Sequence, residues 1–149
     1  MITVEPGLVS VGYEGRTVED LVEVMLAQQV QVVADVRLTP LSRKPGLSKT
    51  KLSAALGDAG VEYVHLRPLG NPRDNRAPFW SGAVASGVRR FQELMQEPTS
   101  SACLDDLAEL ARTRRVAVLC FERDHDRCHR QVVTDEVTSR STDTTVAFA

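Results

Sequence analysis

At 149 residues with 42% hydrophobic content, the chain has enough material for one globular domain with a real core. A formal net charge of −2 and a pI near 5.9 exclude a generally basic, nucleic-acid-coating protein, though not a local basic cleft. One Trp, two Tyr and four Phe exclude an extended base-stacking platform, and three cysteines without paired spacing exclude a disulfide framework.

Leu8 to Gly12 predicts a first strand, with Tyr13-Glu14-Gly15 as the loop after it. Thr17 offers an N-cap with Asp20 three residues on, a carboxylate form of the capping box. Val18, Leu21, Val22, Met25 and Leu26 then recur at helical spacing to about Gln29. Val30 to Val33 is a short β-branched apolar run that reads as a buried parallel strand, and the second strand is expected over Val30 to Val36. Leu38 to Gly46, with two prolines and a glycine, reads as a loop. Ser48 caps a helix through Leu52, Ala55, Leu56 and Ala59 that Gly60 ends, and Val61 to Leu66 follows as a third strand. Arg67 to Pro78 is a long irregular connection with three prolines, two asparagines and three arginines.

Phe79 to Gln96 carries one helical pattern on Val84, Val88, Phe91, Leu94 and Met95, weakened at Gly82 and Gly87. Pro98-Thr99-Ser100 is expected to break the chain before a helix from about Ala102 to Arg114. Val116 to Phe121 is a fourth strand, Cys128 to about Ser139 a helix burying Val132, Val133 and Val137, and Thr144 to Phe148 a last strand. This β-α-β alternation predicts a single-domain three-layer α/β/α fold with a mainly parallel sheet of about five strands. No apolar run approaches the ~18 residues needed to span a bilayer, and no secretory leader is visible, so a cytoplasmic domain is expected.

Groups just beyond the carboxyl ends of strands share a crevice in an open α/β sheet. Asp35-Val36-Arg37 and the stretch from Cys120 to Arg130 are therefore expected to meet. The first continues through Ser42, Arg43 and Lys44 toward a helix start, where backbone amides and guanidinium forks bind anions. The competing view is a solvated basic loop in which Asp35 simply pairs Arg37. In the second stretch, a thiolate at Cys120 would gain stability from helix-terminal amides and nearby arginines and so become a nucleophile. Against this, free cysteine is among the most buried and inert residue types.

Glu122 suits a general base, or a partner for Arg123 or Arg130. His129 suits proton transfer near neutral pH or, with Arg130, contact with an anion. Cys120, His125, Cys128 and His129 are of the types zinc prefers. No C-x2-C pair is present, however, and neighbouring helical residues point about 100° apart, so no metal or cofactor is assigned. Cys103 reads as structural and His65 as a core or rim histidine. Tyr13 and Glu14 join the crevice if strand order allows, and Leu69-Gly70-Asn71-Pro72-Arg73 is a candidate lid.

Val11-Gly12-Tyr13-Glu14-Gly15, Asp35-Val36-Arg37 with Pro40, Ser42 and Gly46, Val61-Glu62-Tyr63 with Leu69-Gly70, and Leu119-Cys120-Phe121-Glu122 with Cys128-His129-Arg130 together resemble the domain-of-unknown-function 488 family. The match runs over nearly the whole chain, and the Cys-Phe-Glu to Cys-His-Arg segment is its most specific part. The resemblance implies a compact α/β domain and brings no activity with it. A fold-level likeness links the same arrangement to rhodanese-like sulfurtransferases and cysteine phosphatases, which close an anion-binding amide loop with an arginine. Here Arg127 comes seven residues after Cys120, and Phe121 to Asp126 include three acids and no glycine, which disfavours a tight amide cradle.

The functional expectation is an enzyme, a hydrolase or transferase using a cysteine or an acid/base pair on a small anionic or phosphate-bearing molecule such as a nucleotide. Cys120, Glu122 and His129 are the candidate catalytic residues. Tyr13, Glu14, Asp35, Arg37, Ser42, Arg43, Cys128 and Arg130 are the candidate substrate contacts, with no membrane partner. One alternative is a nucleotide or nucleic-acid binding module using Arg43, Lys44, Lys49, Lys51, Arg73 and Arg76. Another is a thiol redox sensor using Cys120 and Cys128.

Overall fold

Alternation of side chains along each strand sorts the core into two halves. Leu8, Val32, Ala34, Val36, Val116, Val118 and Cys120 turn to one face of the sheet, and Val9, Val11, Val33, Ala117 and Leu119 to the other. A computed structural model describes residues 4–149. It places β1 (Gly7–Gly12), β2 (Val32–Asp35), β3 (Glu62–His65), β4 (Arg115–Cys120) and β5 (Val146–Phe148) in one sheet of order β3-β2-β4-β1-β5. Each neighbouring pair is parallel, so the sheet is parallel throughout.

Two helices cover one face, α1 (Val18–Ala27) and α2 (Lys49–Asp58), through Leu21, Met25, Leu52 and Leu56. The capping box opens α1 as expected: Thr17 N–H donates to Asp20 Oδ2 at 2.9 Å, and Asp20 N–H to Thr17 Oγ1 at 3.1 Å. Ser48 stands at the N-cap of α2, but its hydroxyl donates to the Ser42 carbonyl and accepts from Ser42 N–H, tying down the preceding loop instead of the helix.

The pattern over Phe79–Gln96 resolves into two helices, α3 (Ala77–Trp80) and α4 (Val84–Leu94), because Gly82 between them adopts φ +88, which a right-handed helix cannot contain. Pro98 begins α5 (Pro98–Thr113) instead of breaking the chain before it. A first helical residue needs no N–H, and the proline ring already holds the right φ. The last helix, α6 (Arg130–Arg140), starts two residues later than expected, since Cys128 is extended (φ −134, ψ 150) and His129 is the cap. Helices α4, α5 and α6 cover the second face through Phe91, Leu104, Leu107, Val133 and Val137. Among the described residues, no helix is long and apolar enough to cross a membrane.

Strand order decides where chemistry can happen. β4 lies between β2 and β1, with Leu119 opposite Asp35 and Cys120 opposite Gly12. The segment after β3 folds back over the same edge, and only glycine allows its approach: a Cβ on Gly70 would lie 2.4 Å from Leu38 Cα.

Candidate functional site

The chain segments leaving β1, β2 and β4 enclose a cleft of about 240 Å³ at the C-terminal edge of the sheet. Cys120, Glu122 and His129 lie in it, together with Tyr13 from the end of β1 and Arg37 from the end of β2. Asn71, Arg76 and Trp80 enter it from the segment after β3. The two polar strand ends singled out in the sequence therefore meet in space.

Two sulfurs and one imidazole form the deepest part of the site. Nδ1 of His129 lies 3.9 Å from Cys120 Sγ and 3.6 Å from Cys128 Sγ, while Nε2 lies 2.9 Å from the Val36 carbonyl oxygen. A carbonyl can only accept, so Nε2 carries a proton, and the lone pair of the neutral ring sits on Nδ1 facing both sulfurs. Phe91 packs edge-on against the ring at 5.0 Å and limits its rotation. Cys128 Sγ also accepts the backbone N–H of Arg130 at 3.5 Å.

These contacts separate the two thiols. A hydrogen bond from Cys128, opposed by burial and reinforced by His129 and Arg130, holds Cys120 well below the ordinary thiol range. Burial and the neighbouring Cys120 charge push Cys128 well above it. Burial pulls the His129 imidazole down, yet the Cys120 charge and the hydrogen bonds to Cys120 and Val36 outweigh it and raise His129. Burial, then the charge on Cys120, raises Glu122 as well. Glu122 Oε1 accepts the Trp80 indole N–H at 3.1 Å, and its buried Oε2 has no hydrogen-bond partner among the described residues. Cys120 is thus the more acidic of the two thiols, with the His129 imidazole, Cys128 and the Glu122 carboxyl beside it.

Arg37 is more constrained than an anion ligand would be. Its side chain is buried, and Nε and Nη2 bind the fully buried Asp35 carboxylate, with the shortest contact at 2.6 Å. Nη1 donates to the Leu47 carbonyl at 2.7 Å, and the guanidinium lies 5.3 Å from the Tyr13 ring centre. Tyr63 donates to the same carboxylate at 2.5 Å. Burial lowers the Arg37 pKa, but hydrogen bonds and charge from Asp35 outweigh it and raise Arg37 further. Burial and that hydrogen bond raise Tyr63. Asp35 and Arg37 thus brace the wall of the cleft, which is the pairing the competing view of this loop anticipated.

Other candidates lie elsewhere. Arg130 follows His129 into α6 and turns under β1, where its buried Nε donates to Ser10 Oγ at 2.9 Å. Ser10 Oγ also lies within hydrogen-bond distance of His125 Nδ1, at 2.7 Å. Ser42 and Arg43 line a separate groove at the start of α2. Glu14 accepts the backbone N–H of Arg123 and borders a neighbouring hollow beyond Phe121. None of Arg130, Ser42, Arg43 or Glu14 lines the cleft.

Of the residues that enter from the segment after β3, Asn71 was expected only in the candidate lid and Arg76 only in the alternative basic patch, while Trp80 was not singled out. Asn71 is held by Asn75: its Oδ1 accepts from Asn75 Nδ2 at 2.9 Å, and its Nδ2 donates to the Asn75 backbone carbonyl at 3.1 Å. Arg76 makes no ion pair among the described residues. Trp80 is 59% exposed at the mouth, beside exposed Phe121 and Leu41. The available signal was the arginine-rich irregular segment ending in the chain's single tryptophan. A family model described as Domain of unknown function DUF488 matches residues 17–137. No curated protein and no solved structure matches the chain.

Proposed function

We propose that this chain, which belongs to the DUF488 family, is an enzyme acting on a small anionic substrate in the cleft, with Cys120, Glu122 and His129 as its reaction centre. The observation that supports this reading is their convergence with Arg76 in one recess. An arginine without an acidic partner binds a phosphate or carboxylate through its planar fork. Trp80 and Phe121 offer apolar faces to a ring or chain carried by the same molecule, which suits a nucleotide or a similar ring-bearing anion. Burial and Cys120 raise Glu122, which suits it to give a proton to a leaving group. The sulfur and imidazole atoms favour reaction over simple recognition, because binding alone has no use for electron-rich groups at the deep end of the recess.

The single tryptophan lies at the cleft, so its emission reports occupancy. A panel of nucleoside phosphates, phosphate monoesters and aryl carboxylates is expected to contain a compound that quenches Trp80 saturably and is turned over. Arg76→Ala should weaken its binding by about 10- to 150-fold, matching about 1.5–3 kcal/mol for a charge-assisted hydrogen bond. Glu122→Gln should retain quenching and lose most turnover. Absence of both quenching and turnover across the panel removes the reading.

A further inference from the structure

We infer that Cys120, Cys128 and His129 form a binding site for one divalent transition metal, with zinc the best chemical fit, and that its fourth coordination position opens into the cleft. Metal binding stands independently of the proposed activity; the metal's part in catalysis rests on that reading. The argument begins with spacing. A tetrahedral zinc bound at about 2.3 Å to sulfur and about 2.0–2.1 Å to nitrogen holds its ligand atoms about 3.6 Å (S to N) and about 3.8 Å (S to S) apart. Nδ1 of His129 lies 3.6 Å from Cys128 Sγ and 3.9 Å from Cys120 Sγ. All three donor atoms lie within 4.8 Å of one another. Small side-chain adjustments bring them onto a common ion.

The surroundings are built for this as well. His129 presents the Nδ1 lone pair to the sulfurs because Nε2–H is committed to the Val36 carbonyl, the outer hydrogen bond that orients a metal-binding imidazole. Cys128 Sγ receives the Arg130 backbone N–H, which stabilises negative charge on a thiolate ligand. All three residues are buried, so the donors are held in place by packing. Cys120 and His129 line the cleft while Cys128 lies behind them, so the uncovered side of the cluster faces the substrate space.

Two thiolates and one imidazole are a zinc-type donor set, and three protein ligands with an open position characterise catalytic zinc sites. A substrate oxygen or a water at that position would be polarised by the metal. The spacing in the sequence hid the site, because the 100° argument assumes that Cys128 and His129 share a helix. Cys128 is extended, and that turn of the chain brings its sulfur to the same side as Nδ1.

The test is titration of the full-length, chelator-treated chain with Co²⁺, a spectroscopic stand-in for zinc. The expected result is one equivalent bound, a sulfur-to-cobalt charge-transfer band, visible bands of four-coordinate intensity, and displacement of cobalt by zinc. Cys120→Ser and Cys128→Ser should each shift the charge-transfer band and weaken binding by at least about tenfold. Cys103→Ser should change neither. Absence of the band in the wild-type chain, or a band insensitive to both serine substitutions, overturns the site, whatever the variants' own folding. The Trp80 quenching and turnover assays separate the two proposals. Turnover that survives chelation, with no cobalt bound, defeats the metal and leaves Cys120 as the attacking group. Cobalt binding without any quenching ligand supports the site and defeats the substrate reading.

Discussion

Replacing Asp35 by asparagine preserves shape and removes the charge from a side chain with 0% exposure. The carboxylate Oδ1 accepts Arg37 N–H at 3.0 Å and Nε–H at 2.9 Å. Oδ2 accepts Arg37 Nη2–H at 2.6 Å and the Tyr63 hydroxyl at 2.5 Å. An asparagine oxygen at the Oδ1 position keeps the first pair of bonds. Its NH2 group then faces Nη2 and Tyr63. The tyrosine hydroxyl can rotate and accept, but the guanidinium has donors only. Arg37, 5% exposed, is left as a buried charge without its counter-ion. Removing one partner of such a pair costs about 3–5 kcal/mol, a fifth or more of the stability of a typical domain, which is about 5–15 kcal/mol. Equilibrium urea unfolding should show the midpoint falling with little change in slope. The Asp35→Asn/Arg37→Met double variant, which removes the stranded charge, should be more stable than Asp35→Asn alone. A loss below about 1 kcal/mol for Asp35→Asn, or strictly additive losses in the double variant, would refute the reasoning.

Glu122 makes a prediction whose sign depends on pH. Its folded-state pKa is raised above 4.5, first by burial and then by Cys120, so its contribution to stability is fully present below pH 4.5 and is lost as pH rises through the folded value. Glu122→Gln removes that loss, and the gain in thermal midpoint over wild type should therefore be larger near neutral pH than at pH 4.5. An equal difference at both pH values would show that the carboxyl is not perturbed. A third change tests the close approach beneath the site: a Cβ on Gly12 would sit 1.9 Å from the Glu122 carbonyl oxygen, so the backbone there must shift. Gly12→Ala should cost about 1–3 kcal/mol and alter Trp80 emission, since Trp80 is hydrogen-bonded to Glu122. Stability within about 0.5 kcal/mol of wild type, the usual range for a neutral surface change, counts against that packing.

Local pattern was enough to read most of the elements. The alternation that puts Val33 and Leu119 on one face and Ala34 and Val118 on the other is written in residue order, as is the Thr17–Asp20 box. Such signals survive because they depend on neighbours within about four positions along the chain. The helix ends were harder. Gly82 and Pro98 are legible only as breaks, and whether each splits a helix or starts one depends on the backbone around it.

The site divides in the same way. Residue types at the ends of β2 and β4 marked Arg37, Cys120, Glu122 and His129, because parallel strands deliver their C-terminal ends to one edge. Tertiary structure alone decided that Arg130 turns beneath β1, that Ser42 and Arg43 open elsewhere, and that Arg76 and Trp80 return over the cleft. It also decided that Cys128 and His129 aim at a common point. Those outcomes follow from strand order, from the path of the segment after β3 and from one extended residue before α6. They are set by contacts between residues far apart in the chain, which the pattern of any single stretch does not contain.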